Sequence, residues 1–366
     1  MNKKNIMIIA GGTAGHVYPA LELAREFIKR GQNIIFLTDQ RMYSRVLSEM
    51  KNNSSIKVFS LLGKGFIKNN FIYNMKSIFL LVCCLFESFY RVFMNKPNVV
   101  FGFGGYITVA PVIVCKLIGI PIILHEGNKV IGRANKLLLN KIHKFTYFFE
   151  NIEGVIHQNN FVNIGMPVRE EIEKLNKSKY SISINKPINV LITGGSLGAQ
   201  DMALYIAKAI SAFSKNDKNK INIIQQVRIE NIRFVKKLYV NAGINFKIME
   251  FIENYPKILK WSHIVICRCG SGTLSENLVS GRPSIMLPLK YSADGHQFKN
   301  AKCIENIGAG WIINDKELNN ELLLVEKLKK IIFNNNGLLI ASQNAKKHIT
   351  IGASKRLADL ASNILN

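Results

Sequence analysis

The sequence predicts an α/β protein built from two tandem Rossmann-like domains. Its 366 residues are enough for two domains, and a hydrophobic content of 48% can fill two cores. A strand that runs into a Gly-Gly loop and then a helix occurs twice, beginning near Asn5 and Asn189. The two Gly-Gly pairs start at Gly11 and Gly194, which are 183 residues apart. Short apolar runs alternate with helical patterns around them, which is typical of parallel sheets with helical crossovers.

The first half of the chain contains three glycine-containing loops, each placed directly after a predicted strand. Ligands of parallel α/β sheets bind at the carboxyl ends of the strands. We therefore expect these loops to meet at one edge of the first sheet. The loops are residues 11–16, 102–106 and 125–133.

The first of these loops is Gly11-Gly-Thr-Ala-Gly-His16. A helix is expected to follow from about Tyr18 to Lys29, with Pro19 near its first turn. The glycine spacing is not the G-x-G-x-x-G pattern, so it does not specify a dinucleotide site. A tight turn that simply requires glycine is the alternative interpretation.

The second half centres on residues 263–289, where the pattern is strand, glycine loop, helix and strand. An apolar run ends at Cys267, and Gly270-Ser-Gly272 follows before a helical pattern. Free N–H groups and the dipole at such a helix start favour a phosphate. Thr273-x-x-Glu276 also matches a capping box, in which Glu276 would serve only its own helix. The sequence leaves both interpretations open.

Residues 71–93 repeat large apolar side chains at a helical period. The apolar part is shorter than the roughly 20 residues of a membrane-spanning helix. It fits either a core helix or a helix whose outer face enters a membrane surface. The second interpretation gains support from basic neighbours, which attract anionic lipid; they are Lys64, Lys68, Lys76 and Arg91.

The charge of the chain limits the classes of molecule that it is expected to bind. The formal charge of +25 suggests an anionic partner, although a bias toward Lys, Asn and Ile codons would also produce it. Residues 41–144 hold 15 Lys and Arg against three acids. No Arg-rich run or basic–aromatic pattern indicates nucleic acid.

The six cysteines form no C-x-x-C pair, and the histidines show no metal-ligand spacing. We therefore expect free thiols in a reducing, cytosolic environment and no metal.

Seven short motifs follow one another along the chain. They occupy residues 10–20, 102–106, 125–128, 165–169, 194–199, 267–276 and 294–297. One glycine loop alone is a common pattern, whereas seven motifs in order are specific. In this order they resemble the peptidoglycan N-acetylglucosaminyltransferases of glycosyltransferase family 28, and the resemblance runs from about residue 5 to 360.

The resemblance implies a GT-B architecture with a cleft between two domains. It places an acceptor and membrane-facing domain at residues 1–164, a UDP-GlcNAc domain at 165–345, and a last helix at 346–366 crossing back to the first domain. It implies inverting transfer of GlcNAc from UDP-GlcNAc to the C4 hydroxyl of MurNAc in lipid I, without a cofactor. The enzyme would attach peripherally to the anionic inner membrane surface, on its cytoplasmic side.

The resemblance also implies individual binding roles. Glu276 matches a carboxylate that accepts the ribose hydroxyls, Ser196 a phosphate contact, and Ile252 a residue whose backbone reads uracil. Arg169 matches the interdomain arginine, and Gln297 matches a sugar-hydroxyl ligand. The start of the helix near the diphosphate corresponds to Ser271, Gly272, Thr273, Leu274 and Ser275. The wall on the acceptor side corresponds to Thr13, Ala14, Gly15 and Asn128.

An inverting displacement needs a general base for the acceptor hydroxyl. His16 is the first candidate, because it projects from the first glycine loop, which also resembles a site for the acceptor pyrophosphate. A role in holding that loop is the alternative for His16, and Glu126 and His125 are alternative bases. Two residues depart from the family pattern: Ala14 stands where glycine is common, and Gly127 where glutamine is usual.

Other functions on this fold also fit parts of the pattern. A UDP-GlcNAc 2-epimerase would share the donor motifs and need no acceptor. A lipid glycosyltransferase could use diacylglycerol as its acceptor. A non-enzymatic membrane-bound sensor would bind the nucleotide sugar without turning over lipid I. The ordered acceptor-side motifs favour the transferase.

Overall fold

Two parallel β-sheets with intervening helices make up the protein in this computed structural model. It describes residues 3–51, 53–63, 71–140, 142–156, 158–183, 185–194, 200–290, 292 and 295–365. Unit 1 comprises residues 1–168 and 352–366, and unit 2 comprises residues 169–351. Each unit is a Rossmann-like α/β domain, so the predicted fold class is confirmed.

Unit 1 is built on seven parallel strands. The strands are β1 (Asn5–Ile9), β2 (Asn33–Asp39), β3 (Ile56–Leu61), β4 (Val99–Gly102), β5 (Ile122–Glu126), β6 (Lys144–Tyr147) and β7 (Phe161–Asn163). Their order in the sheet is β3-β2-β1-β4-β5-β6-β7. The helices are α1 (Ala14–Lys29), α2 (Gln40–Glu49), α3 (Phe71–Asn95), α4 (Val109–Ile118) and α5 (Arg133–Leu138), with a 3-10 turn at Tyr106–Thr108.

Unit 2 repeats this arrangement with six parallel strands. The strands are β8 (Ile188–Thr193), β9 (Ile221–Gln226), β10 (Asn245–Met249), β11 (Ile264–Cys267), β12 (Ser284–Met286) and β13 (Gly310–Ile312), in the order β10-β9-β8-β11-β12-β13. The helices are α6 (Glu170–Asn176), α7 (Gln200–Ser211), α8 (Lys215–Lys218), α9 (Ile229–Ala242), α10 (Tyr255–Trp261), α11 (Ser271–Ser280), α12 (His296–Asn306), α13 (Asp315–Leu318), α14 (Glu321–Ile332) and α15 (Asn335–Lys347).

The chain returns to unit 1 in a last helix, α16 (Ala353–Leu365). Its residues Leu357 and Ala361 are fully buried in the same cluster as Leu21 and Ala24 of α1. Arg30 at the end of α1 pairs with Asp359 at 2.7 Å. The helix thus completes one apolar layer of unit 1.

Central strands of unit 1 are buried on both faces. Ile6 and Ile8 of β1 enter the cluster shared with α1 and α16, while Met7 and Ile9 enter the cluster on the opposite face. Strands with this burial appear in the sequence as continuous apolar runs, because neither face meets water. This explains why the central strands could be predicted.

A chain of asparagine side chains closes the amino edge of the first sheet. Asn33 Nδ2 donates to Asn5 Oδ1 at 3.0 Å, and Asn5 Nδ2 donates to the Asn95 carbonyl at 2.9 Å. The Asn5 backbone N–H donates to Asn98 Oδ1 at 2.8 Å. These bonds tie the starts of β1, β2 and β4 together.

Unit 2 repeats this chain at equivalent positions. Asn222 Nδ2 donates to Asn189 Oδ1, and Asn189 Nδ2 donates to the Trp261 carbonyl, both at 3.0 Å. The Asn189 backbone N–H donates to His263 Nδ1 at 2.9 Å, just as the Asn5 backbone N–H donates to Asn98 Oδ1. The likeness between the two halves therefore extends to single hydrogen bonds at the starts of corresponding strands.

Helix α1 begins earlier than the sequence pattern predicts. We expected a loop through His16 and a helix from about Tyr18. The helix begins at Ala14, because Thr13 has extended backbone angles (φ −147°, ψ 156°) and ends the loop. Pro19 therefore lies inside the helix and not near its first turn.

Helix α3 covers the stretch for which the sequence left two interpretations open. It contains 25 residues. Within the described ranges, no helix combines the length and the apolar character that crossing a membrane requires.

Candidate active site

The two glycine loops of unit 1 after β1 and β4 lie against each other. A Cβ atom on Gly105 would be 2.7 Å from the Gly11 carbonyl oxygen, and Gly105 has φ +83°. Only glycine allows both this approach and this conformation without strain. A Cβ atom on Gly11 would in turn be 2.8 Å from Ile107. The structure thus brings the first two predicted loops together.

His16 lies in the first turn of α1, together with Ala14 and Gly15. Its Nδ1 atom is 3.0 Å from the Gly11 carbonyl oxygen and 3.4 Å from Thr13 Oγ1. A carbonyl oxygen can only accept, so Nδ1 carries the hydrogen and Nε2 carries the lone pair in the neutral ring. The position of a Cβ on Gly104 would be 3.5 Å from Nε2, so glycine there keeps this nitrogen uncovered on that side.

Asp39, which the sequence did not single out, joins the two loops. Its buried carboxylate, at the end of β2, accepts the Gly12 backbone N–H at 2.5 Å and the Tyr106 hydroxyl at 3.3 Å. It also caps α2 by accepting the Met42 N–H at 3.1 Å. Arg41 lies 3.5 Å from it. An acid at the end of the second strand of a β-α-β unit was the available signal.

Glu126 holds the third loop of unit 1 in place. Its buried carboxylate accepts the backbone N–H and the side-chain amide of Asn128 at 3.0 and 3.1 Å. It also accepts Gly132 N–H at 2.8 Å and Asn135 Nδ2 at 2.9 Å. A carboxylate has about four acceptor positions, and four donors surround this one. The geometry assigns Glu126 to orienting Asn128 and argues against a role as base.

His125 is also fully engaged. Its Nδ1 lies 3.1 Å from Thr146 Oγ1, whose hydrogen goes to the Leu124 carbonyl at 3.0 Å. Nδ1–H is therefore the donor, and Nε2 faces Met166 Sδ at 3.3 Å. Burial, and then a smaller electrostatic contribution from His16, lower the pKa of His125 to about 3. The ring is neutral and enclosed, so it is poorly placed to meet a substrate.

In unit 2, the helix start predicted to meet the diphosphate is α11. Gly270 is its N-cap, and no side chain caps the helix. The capping-box interpretation of Thr273 and Glu276 is therefore wrong, because Thr273 is already the third helical residue. Ser271 begins the helix, and Ser275 Oγ donates to the Gly272 carbonyl at 2.8 Å. Backbone N–H groups at such a start favour an anion.

Glu276 lies on the second turn of α11, with 16% of its side chain exposed. Its Oε1 atom is 3.7 Å from an Arg169 guanidinium nitrogen. Arg169 is the first residue of unit 2, and its guanidinium lies 5.8 Å from the centre of the Tyr255 ring. Ile252 is buried in the segment between β10 and α10. The structure thus brings Arg169 and Glu276 together and adds Tyr255, which the sequence did not indicate.

Gln297 connects the loops after β11 and β12. Its Oε1 accepts the Cys269 N–H at 3.3 Å and the Leu289 N–H at 3.0 Å. The side-chain nitrogen of the same amide can only donate, which suits a sugar hydroxyl. The neighbouring Arg268, also missed from the sequence, donates to the Leu287 carbonyl at 3.2 Å. Both side chains shape the carboxyl edge of the second sheet.

Some predicted features need separate mention. Ser196 lies in residues 195–199, outside the described residues. Leu274 is buried in α11 and contributes to its packing face. Ala14 occupies the first helical position, where its methyl group needs no special backbone conformation. Across the ranges given above, no group of three or more His, Cys, Asp or Glu side chains could hold a metal ion.

The chain belongs to glycosyltransferase family 28. The N-terminal domain model of this family matches residues 6–147, and the C-terminal domain model matches residues 189–364. The chain is thus a sugar-transferring enzyme, and the resemblance seen in its motifs is confirmed.

Close relatives carry one name. The UDP-N-acetylglucosamine–N-acetylmuramyl-(pentapeptide) pyrophosphoryl-undecaprenol N-acetylglucosamine transferase of Rhodospirillum rubrum is 32% identical, over 98% of this chain and 91% of that protein. The Rickettsia bellii transferase of the same name is 31% identical, over 99% and 100%. The crystal structure of Acinetobacter baumannii MurG is 25% identical, with a TM-score of 0.78 over 98% of this chain and 99% of that one. The roles assigned to single site residues stay predictions.

Proposed function

We propose that this chain transfers N-acetylglucosamine from UDP-N-acetylglucosamine to the C4 hydroxyl of MurNAc in undecaprenyl-pyrophosphoryl-MurNAc-pentapeptide. This reaction converts lipid I to lipid II in peptidoglycan synthesis. The observation that carries the proposal is the match to identically named transferases over nearly the whole chain, including both units. The site geometry in each unit supports it.

Unit 2 is the proposed donor domain. The start of α11 offers backbone N–H groups without a competing side-chain cap, which suits the diphosphate of UDP-GlcNAc. Glu276, one turn further, is an acceptor-only group for the ribose hydroxyls. When the sugar leaves, negative charge develops on UDP. Donors that are fixed in advance stabilise this charge without reorganising.

Unit 1 is the proposed acceptor domain, with His16 as the general base. The Nδ1–H···O bond to Gly11 fixes the neutral tautomer that presents Nε2 as the proton acceptor. In the proposed step, His16 Nε2 takes the proton of the C4 hydroxyl. At the same time, the oxygen of this hydroxyl attacks the anomeric carbon of GlcNAc. The bond from that carbon to UDP breaks, and the configuration inverts. The hydrogen-bond partners of Glu126 and His125 support His16 over both alternatives.

A direct assay tests the function. Purified protein is incubated with UDP-GlcNAc and a short-chain lipid I analogue, and the product is identified by mass. We expect the acceptor to gain one N-acetylhexosamine. Incubation with UDP-GlcNAc alone detects a 2-epimerase, and a diacylglycerol acceptor detects a lipid glycosyltransferase. Nucleotide binding without any of these products would support a sensor and overturn the proposal.

Peripheral attachment to the anionic cytoplasmic face of the inner membrane is part of the proposal. The described part of α3 presents an apolar face at alternating spacings of three and four residues. Every member of this face is at least 44% exposed, although each is large and apolar. The members are Met75, Phe79, Val82, Phe86, Phe89 and Phe93.

The charges around this face are compatible with a membrane surface. Glu87 is the one acid in α3, and it pairs with Arg91 at 3.4 Å. Leu117 and Ile118, at the end of α4, are also exposed at 81% and 49%, and α3 packs on α4. A shallow apolar insertion next to basic groups is the usual mode of peripheral attachment. Lys64, Lys68 and the side chain of Lys76, which the sequence suggested for this role, lie outside the described residues.

A further inference from the structure

The hydroxyl group of Tyr255, in the proposed donor domain, is buried without a hydrogen-bond partner among the described residues. The residue begins α10, and its hydroxyl oxygen is shielded from solvent. Among the residues that the structure describes, no hydrogen-bond partner lies within reach of this oxygen. Buried polar groups are nearly always paired, so an exception in a native structure calls for a reason.

The surroundings of Tyr255 belong to the donor site. Arg169 lies over its ring at 5.8 Å and pairs with Glu276 at 3.7 Å. Burial, and then the Glu276 carboxylate, raise the pKa of Tyr255 well above its ordinary value. The phenol therefore keeps its proton and can act only as a hydrogen-bond donor towards a carboxylate.

We propose that Tyr255 is a positioning residue of the donor site, whose hydroxyl donates to the Glu276 carboxylate when that carboxylate receives the ribose hydroxyls. This inference rests on the proposed UDP-GlcNAc site. The unpaired hydroxyl destabilises the free protein, and the destabilisation is relieved in the complex. The relief adds to the binding free energy of the nucleotide. A phenylalanine at this position would neither destabilise the free protein through an unpaired hydroxyl nor add to the binding free energy of the nucleotide.

Tyr255→Phe separates this role from a structural one. UDP binding is measured by calorimetry and fold stability by thermal unfolding. We expect Tyr255→Phe to weaken UDP binding about tenfold, the size of one hydrogen bond to a charged group, without lowering Tm. Binding of 2′,3′-dideoxy-UDP, which lacks the ribose hydroxyls, should be nearly unchanged. In a Glu276→Ala background, which lacks the acceptor of the phenol's hydrogen, Tyr255→Phe should cause little further loss.

Tyr239→Phe is the matched control. Tyr239 is a fully buried tyrosine of the same unit, but its hydroxyl donates to Gln225 Oε1. Its removal leaves a buried acceptor unpaired, so we expect a lower Tm and unchanged UDP affinity. The two variants should thus show opposite patterns.

Three results would overturn the inference. Wild-type affinity of Tyr255→Phe for UDP would show that the hydroxyl takes no part in binding. Equal losses for UDP and dideoxy-UDP would show that it acts elsewhere than through Glu276. If the wild-type protein bound no UDP, the proposed donor itself would be wrong, and the role of Tyr255 would fall with it.

Discussion

Replacing Phe86 with serine tests the proposed membrane face of α3 most sharply. Phe86 is 74% exposed, more than any other described aromatic side chain of this helix. The substitution removes little buried contact. Surface changes of this kind usually alter the free energy of unfolding by less than about 0.5 kcal/mol. Any loss of membrane binding would therefore not arise from unfolding.

The expected magnitude follows from the exposed area. A phenylalanine presents roughly 200 Å² of surface, and 74% of this is about 150 Å². At about 25 cal/mol per Å², complete immersion would contribute about 4 kcal/mol. Insertion into the headgroup boundary covers about half of the ring, so we expect a loss of about 2 kcal/mol. This corresponds to roughly 30-fold weaker partition into vesicles.

The assay is sedimentation with vesicles that contain phosphatidylglycerol, compared with neutral vesicles. Wild-type binding should be stronger to the anionic vesicles and should fall at high salt, because the screening length shortens from about 10 Å at 0.1 M to about 3 Å at 1 M. Phe234→Ser is the control, since Phe234 is an exposed phenylalanine (46%) on α9 of unit 2. Wild-type binding by Phe86→Ser, or an equal loss in Phe234→Ser, would refute the assignment of this face.

Three other variants probe the site and the fold. Glu276→Gln should raise the donor KM at least tenfold, because an amide accepts ribose hydroxyls less strongly than a carboxylate, and Tm should stay near that of the wild type because Gly270 is the N-cap. His16→Gln should lower kcat by about 10²- to 10⁴-fold and leave UDP affinity unchanged. The pKa of His125 is about 3 in the folded protein and 6.5 for an ordinary histidine. Below pH 6.5 the ring is therefore protonated in the unfolded chain but stays neutral in the folded protein. Stability should therefore fall by about 1.4 kcal/mol through this group from pH 7.5 to 5.5, and His125→Asn should reduce that slope.

Each of these variants has a contradicting result. A stability loss in Glu276→Gln with a normal donor KM would restore a purely structural role for the carboxylate. Full turnover by His16→Gln, measured with saturating acceptor, would assign the histidine to the loop alone. For His125, the relevant quantity is the pH slope of unfolding by urea and not the absolute stability. Equal slopes for variant and wild type would show that the histidine charges in the folded state.

The sequence predicts the central strands of both sheets well, because burial on both faces leaves apolar runs. The two edge strands of the first sheet lack this signal. Strand β3 (Ile56–Leu61) contains Lys57 and Ser60 and is only partly buried, and β7 (Phe161–Asn163) has three residues. Their pairing depends on neighbouring strands that are distant in sequence, so no local pattern reveals them.

The candidate site was predicted unevenly for a similar reason. Residues that belong to a glycine-loop motif, such as His16 and Glu276, are visible in the sequence. The distant side chains that hold the loops in place are not. Asn135 reaches Glu126 from nine residues away, and Asp39 reaches Gly12 from 27 residues away. Tyr255 shows no motif at all, since only its buried hydroxyl marks it.

The net charge distinguishes the two units less clearly than the exposed apolar face of α3 does. Unit 1 carries 22 Lys and Arg against 9 Asp and Glu, a net of +13, and unit 2 carries 27 against 15, a net of +12. The basic character is thus shared by both units and does not by itself mark a membrane-facing one. The exposed apolar face of α3 is the observation on which we base the proposed membrane-facing role of unit 1.

The asparagine chains at the strand starts have a consequence for how such a protein can change. In each unit, side-chain amides fix the relative heights of the central strands at one end of the sheet, so the loops at the opposite end need not contribute to strand register. Those loops can gain, lose or exchange residues while the scaffold beneath them keeps its alignment. Two copies of one scaffold can in this way come to bind different molecules, as we propose here for a nucleotide sugar and a lipid-linked acceptor.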